Sequence, residues 1–377
     1  MRLVTGLRLP LALGLCLILS GCWDSTNMET VDYVTAIGVD YKEGNFIVYT
    51  QLIDFSSIAK TEGGGKAGAR VWIGKGSGAT FYGAYNELLR SAQTEMNTEQ
   101  LKTVIIQEDA IVKLDEILDA LNRVRVARYT SWMFGTREPI ENILTTDTFF
   151  GMPQTSSLIY SPRDQMRRAD LINPLSMQRF VSRYNEKSAT VLLPAVGVST
   201  RTWKEQQEPV KMQVVDGLFA IKRKGEATFF PVAGMSGVKW MSPKFTRYLV
   251  TLNHSQKKAT IAVNDVKHVV QVTTRKDKPQ FTIRLMMIGE VAELGGSMKQ
   301  EQIVVKMKER VKLDMLQTYR NGLKQGEDVF NLEETLYRRH NRLWKKVAKG
   351  GSWLPGPEDL KVEVRFRLRG SGGFILD

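Results

Sequence analysis

The strongest constraint on this chain lies in its first 22 residues, because they remove the only covalent staple the rest could have used. Arg2 and Arg8 flank or precede an apolar run from Leu9 to Leu19, broken only by Pro10 and Gly14, which ends in Leu19-Ser20-Gly21-Cys22. A short positive region, an apolar stretch too short to span a bilayer comfortably, and small residues before a cut describe an export signal. The Cys directly after the small pair gives this signal the pattern of a lipobox: the thiol of Cys22 is diacylated and residues 1–21 are removed. The sequence holds two Cys, at 16 and 22. Removing the first leaves no pair, so no intramolecular disulfide forms, and the mature chain must be held by apolar cores alone. Each buried CH₂ of an acyl chain contributes about 0.8 kcal/mol, and two chains anchor stably where one holds marginally.

Composition shows that such cores are affordable. With 377 residues, 42% hydrophobic and 25% charged, the chain has the makings of two or three domains, and a disordered, collagen-like or multi-span membrane protein is excluded. The net charge of +13 is uneven. Residues 22–150 hold 12 Lys+Arg against 18 Asp+Glu, whereas residues 151–377 hold 39 against 22. A basic part of this kind meets nucleic acid or an anionic membrane surface. Export displaces nucleic acid and leaves the second.

Hydrophobic periodicity predicts a mixed α/β (α+β) protein of two to three domains, each a β-sheet with surrounding helices. Strands are expected at Val31–Asp40 and Phe46–Asp54 about a Lys42-Glu43-Gly44-Asn45 turn, at Val71–Lys75, Val104–Gln107, Tyr129–Gly135 and Thr190–Ser199. Helices are expected from Thr80, over Ile111–Ala127 and within Gln165–Tyr184, with a polar, Gly-rich loop at 56–70. The basic half opens with a hairpin, Val214–Arg223 and Ala227–Phe230, and continues as strands over 259–291 with a charged turn at 275–278. A long amphipathic helix follows over Gln300–Tyr319, carrying Ile303, Met307, Val311 and Met315. Asn331, with Glu334 three residues on, has capping-box spacing for a helix over 331–349. The last strand, Leu360–Arg369, alternates strictly between apolar and mostly basic residues. The domains expected from this pass are 22–200, 201–267 and 268–377, after the signal at 1–21.

The chemistry-bearing patterns come to nothing catalytic. Gly63-Gly64-Gly65-Lys66 is followed by Ala67, so the hydroxyl that a phosphate loop uses to hold Mg²⁺ is missing. Ser57-Ile58-Ala59-Lys60 has Ser-x-x-Lys spacing but no Lys-Thr-Gly or Ser-Asp-Asn companion. Gly234-Met235-Ser236-Gly237 misses the nucleophile elbow by one position, and His254, His268 and His340 are far apart. No catalytic residue, metal site or cofactor is expected. The remaining candidates are Cys22 as lipid anchor and a cationic set for an anionic surface: Arg338, Arg339, Arg342, Lys345 and Lys346 on the helix, and Arg365, Arg367 and Arg369 on the last strand.

The order of several short motifs carries a family resemblance. Leu19-Ser20-Gly21-Cys22-Trp23-Asp24, Val39-Asp40 in the first strand, Leu121-Asn122-Arg123 with Arg128, Gly217-Leu218-Phe219, Asp328-Val329-Phe330 and Trp344-Lys345-Lys346 together resemble the Ger(x)C spore germination lipoproteins. The resemblance spans nearly all of the mature chain. It implies the C subunit of a nutrient germinant receptor, lipid-anchored on the extracytoplasmic face of the spore inner membrane. Its implied partners are two integral membrane subunits, one of them transporter-like, and the implied fold is three mixed α/β domains. One departure is Glu99-Gln100-Leu101-Lys102, where members of that family often carry a Trp/His-containing stretch. The alternative from a different class is an extracytoplasmic solute-binding lipoprotein of a transporter, which needs two similar lobes around a cleft; the two halves here differ in charge and show no repeat.

Overall fold

The structure is a computed structural model that describes residues 31–53, 71–123, 128–163, 172–243, 245–254, 257–296 and 298–369. Cys22 and the whole of the loop expected at 56–70 lie outside these residues.

The first half builds one large sheet. Strands β1 (Val31–Lys42) and β2 (Asn45–Ile53) pair antiparallel through a two-residue turn, Glu43 and Gly44, both at positive φ (51° and 81°). That is the turn twist which suits a two-residue hairpin. β3 (Val71–Gly78) pairs antiparallel with β2. Helix α1 (Phe81–Ser91) starts at Thr80, whose hydroxyl accepts the Gly83 N–H at 3.0 Å. After the short β4 (Glu95–Asn97), strand β5 (Thr103–Gln107) lies parallel to β1. The helix expected from Ile111 begins as a 3₁₀ segment, Glu108–Lys113, and becomes α2 (Leu114–Arg123). β6 (Trp132–Thr136) lies parallel to β5 and is followed by α3 (Ile140–Leu144). β7 (Leu175–Ser176) and α4 (Met177–Tyr184) lead to β8 (Val191–Ser199). A two-stranded ribbon, β9 (Lys204–Glu205) with β10 (Glu208–Pro209), precedes the hairpin of β11 (Met212–Ile221) and β12 (Ala227–Pro231).

The strand order is β12-β11-β8-β6-β5-β1-β2-β3, with β4 beside β1 and β7 beside β6. Residues 103–106 are wholly buried because this parallel centre is covered on both faces. On one face α1, α2 and α4 bury Phe81, Leu88, Leu118, Leu121 and Phe180. On the other, Tyr49, Ile105, Phe134 and Ile143 belong to a core that continues into the second half of the chain.

The second half is a four-stranded sheet, ordered β13 (Tyr248–His254), β14 (Lys257–Arg275), β15 (Lys278–Gly295) and β16 (Leu360–Leu368). β14 and β15 form a long hairpin turned by Lys276 and Asp277, both at positive φ. β16 lies parallel to β15, so the chain must cross over between them, and it does so through α5 (Gln300–Lys324), α6 (Leu332–Arg339) and α7 (Asn341–Ala348). The expected apolar stripe of α5 is buried in full: Ile303, Met307, Val311 and Met315 are each 0% exposed, packed in one core with Phe281, Leu285 and Val362.

Three expectations are corrected. The boundary at 200/201 separates strands of one sheet, since β11 pairs with β8 from Met212↔Ser199 to Ile221↔Val191. The boundary at 267/268 falls inside β14, whose ladder with β15 runs through it without interruption. The helix expected over 331–349 is two helices: it breaks at His340 (φ −135°, ψ 50°), between α6 and α7. Asn331 makes no side-chain cap. It sits at φ 55° and its Oδ1 accepts the Thr190 N–H at 2.8 Å, while Glu334 turns to Arg183.

Candidate functional site: a basic unit clamped to the first sheet

The structure divides the cationic set between two sides of the second sheet. α5, α6 and α7 cover the face that carries Phe281, Leu285 and Val362, so the cations of α6 and α7 point away from the sheet on that side. Two of them are engaged: Arg338 reaches Glu186 at 2.9 Å and Glu334 at 3.1 Å, and Lys346 reaches Asp277 at 3.1 Å. Arg339, Arg342 and Lys345 are exposed and form no ion pair among the described residues.

Arg365, Arg367 and Arg369 belong to the opposite face. Strict alternation puts Leu360, Val362 and Phe366 against the helices and turns the odd-numbered residues outward. The register aligns rows across the sheet: Lys267–Met286–Arg365, Asp265–Ile288–Arg367 and Val269–Arg284–Glu363. Glu363 is held by Arg284 at 3.1 Å and Lys361 at 2.8 Å, and both cations draw its carboxyl below its ordinary value. Arg365, Arg367, Arg369 and Lys267 are exposed and make no ion pair among the described residues.

What sequence reasoning missed is the clamp that fixes this unit to the first sheet. Glu334, on α6, takes both guanidinium nitrogens of Arg183, on α4, at 2.6 Å each. Lys187 stands 4.8 Å above the Trp344 ring. Asp328, buried, caps α6 by accepting the Glu333 N–H at 2.7 Å, and burial pushes its carboxyl up to about 6. Glu333 accepts from Trp344 Nε1 at 3.0 Å and from the Trp353 N–H at 2.8 Å, tying α6, α7 and the approach to β16 together. Glu327 meets Lys222, on the β11–β12 hairpin, at 3.1 Å, and burial raises its carboxyl. The resemblance motifs Asp328-Val329-Phe330 and Trp344-Lys345-Lys346 are thus partly structural. Four carboxylates, Glu327, Asp328, Glu333 and Glu334, crowd an otherwise apolar stretch, and that was the available signal of buried, partnered acids.

A separate cleft of about 350 Å³ lies between the segment 232–248 and α5. Its polar wall is the Asp314 carboxylate, bonded to Arg310 Nε at 2.9 Å and Trp240 Nε1 at 3.4 Å. The departure at 99–102 sits at the entry to β5, where Leu101 is buried and the Lys102 N–H bonds to the Thr35 carbonyl. Among the described residues no group of three or more His, Cys, Asp or Glu could hold a metal ion, and no helix is long and apolar enough to cross a membrane.

Comparison with known proteins joins the two halves. Residues 24–198 match the family described as the spore germination protein N-terminal domain, and residues 217–372 the one described as spore germination B3/GerAC-like, C-terminal. Spore germination protein YfkR of Bacillus subtilis (strain 168) is 24% identical over 94% of this chain and 93% of its own length. Spore germination protein KC of the same organism is 22% identical, with the same shares covered. The crystal structure of the GerBC protein shares the fold, with a TM-score of 0.57 at 15% identity over 89% of this chain and 97% of that one.

Proposed function

The chain belongs to the GerAC-like family of spore germination proteins, and from that premise we propose that it is the lipid-anchored C subunit of a germinant receptor. Cys22 carries the diacyl anchor on the extracytoplasmic face of the spore inner membrane. The folded part assembles with two integral membrane subunits, one of them transporter-like, and acts by assembly rather than by catalysis. The observation that carries the receptor role is coverage: both family matches fall in order along one chain, and YfkR and KC each align with 94% of it. The solute-binding alternative gives way to the family assignment. Its two similar lobes are also not the arrangement here, where a ten-stranded sheet is joined to a four-stranded one of different topology.

The test is recovery of the native protein from spore membranes after mild detergent extraction, with metabolic labelling by a fatty acid. Co-purification of two polytopic proteins and label lost on Cys22→Ala are expected. Membrane retention and labelling unchanged by Cys22→Ala refute the anchor, and purification without membrane-protein partners refutes the assembly.

A further inference from the structure

We propose that the open face of the second sheet lies flat on an anionic lipid surface. This face is the one opposite α5, α6 and α7, and among the described residues no element covers it. It combines two properties. The first is uncompensated positive charge: Lys267, Arg365, Arg367 and Arg369 are exposed and without ion pairs among the described residues, whereas Arg284 and Lys361 are engaged by Glu363. Asp265, Glu290 and Glu293 stand on the same face with the engaged Glu363, and the six cations leave it net positive. The second is exposed apolar surface among those cations. Leu249, Val269 and Met286 are 54%, 41% and 38% exposed, and the pairings Leu249↔Ala262, Val269↔Arg284 and Lys267↔Met286 put all three on this side.

The geometry favours lipid over an acidic protein segment. The three arginines follow one another at two-residue spacing along β16, about 7 Å apart in a line. The shallow recess beside them, about 280 Å³ and lined by Lys267, Arg365 and Arg367 with Asp265, Met286 and Ile288, has no buried donor to fix one carboxylate. Side chains with apolar stems and cationic heads on a flat surface suit the boundary between headgroups and acyl chains. The cations of α6 and α7 face the other way, with no large apolar side chain exposed among them, and would then point toward solvent or protein partners. The inference rests on the membrane location proposed above but not on the anchor.

The test uses the mature chain, residues 22–377, carrying Cys22→Ala and no lipid, so the anchor plays no part in the readout. Co-sedimentation is measured with phosphatidylcholine vesicles that contain, or lack, about one-third phosphatidylglycerol, at low and high salt. Anionic vesicles should bind it and neutral ones should not, with binding lost as salt rises. Combined Lys267→Glu, Arg365→Glu and Arg367→Glu should weaken binding by at least about tenfold. Combined Arg339→Glu, Arg342→Glu and Lys345→Glu should leave it within about twofold. All six positions are exposed, and unchanged circular dichroism and melting confirm the fold; Met286→Ser should weaken binding a few-fold with no change of charge. Equal binding to neutral vesicles, equal loss in the helix set, or no vesicle binding alongside capture by polyglutamate overturns the proposal. The last result would assign the face to an acidic protein. Failure of the anchor reading shows elsewhere, in fatty-acid labelling of Cys22.

Discussion

Replacing Arg183 by Ala tests whether α6 is held to the first sheet by a true ion pair. Glu334 is 8% exposed at its side chain and accepts two hydrogen bonds from Arg183 at 2.6 Å. A hydrogen bond to a charged group contributes about 1.5–3 kcal/mol net, and stripping the partner from a fully buried charge costs about 3–5 kcal/mol. Two features lower that figure here. Arg183 is 37% exposed, so water screens its half of the pair, and Arg338 stays 3.1 Å from the carboxylate. The expected cost of Arg183→Ala is therefore about 2 kcal/mol, against about 0.5 kcal/mol for Arg338→Ala, whose side chain is 54% exposed and which leaves the bidentate pair intact. Combining Arg183→Ala with Glu334→Gln should cost less than the sum of the two alone, by about 1.5 kcal/mol. Urea unfolding of the unlipidated mature chain measures all four corners of the cycle, and a loss of 2 kcal/mol moves the midpoint by roughly 0.5–1 M. Equal costs for the two arginines, or a coupling below about 0.3 kcal/mol, would mean that the packing of Asn331 and Trp344, not charge, docks the unit.

Three further outcomes follow from the same contacts. The Asp328 carboxyl is raised by burial to about 6, so the fold favours its protonated form, and the stability that form confers is present below about pH 4 and lost as pH rises through about 6. Wild type should therefore lose about 2–3 kcal/mol relative to Asp328→Asn between pH 4 and pH 7, and a pH-independent difference in urea midpoints would contradict it. Gly217→Ala should lower the melting temperature, at a cost of about 1–3 kcal/mol, because its Cβ would stand 2.5 Å from the Phe229 ring and 2.6 Å from the Phe230 carbonyl, and backbone does not yield. Met315→Ala, at a wholly buried position of α5, should cost about 2–5 kcal/mol by denaturant titration, whereas the exposed Leu313→Ala should cost less than 1 kcal/mol.

Much of the architecture was legible because it is local. Thr80 announced α1 through a cap that needs only its own helix, Glu43-Gly44 announced a hairpin through backbone sign, and the alternation of β16 declared which side chains face a core. Asn331 and Glu334 show the limit. Their spacing satisfies the capping-box pattern, yet both are drawn away by residues from the first half of the chain, Thr190 and Arg183, at sequence separations of 141 and 151. Nothing in the residues near 331 announces those partners. The domain cuts failed for a related reason, since the strand pairing that joins β8 to β11 and carries β14 through residue 268 is set by partners distant in sequence.

The basic set divides along the same line. Sequence alone established that residues 151–377 are strongly cationic, and its lipobox pattern made Cys22 the expected lipid anchor. It also established that Arg365, Arg367 and Arg369 share one face of a strand, because that face follows from a period of two. Only the tertiary structure decided that this face lies opposite Arg339, Arg342 and Lys345, with the second sheet between them. The deciding element is the crossover that a parallel β15–β16 pair requires: it places α5, α6 and α7 on one side of the sheet and leaves the other side open.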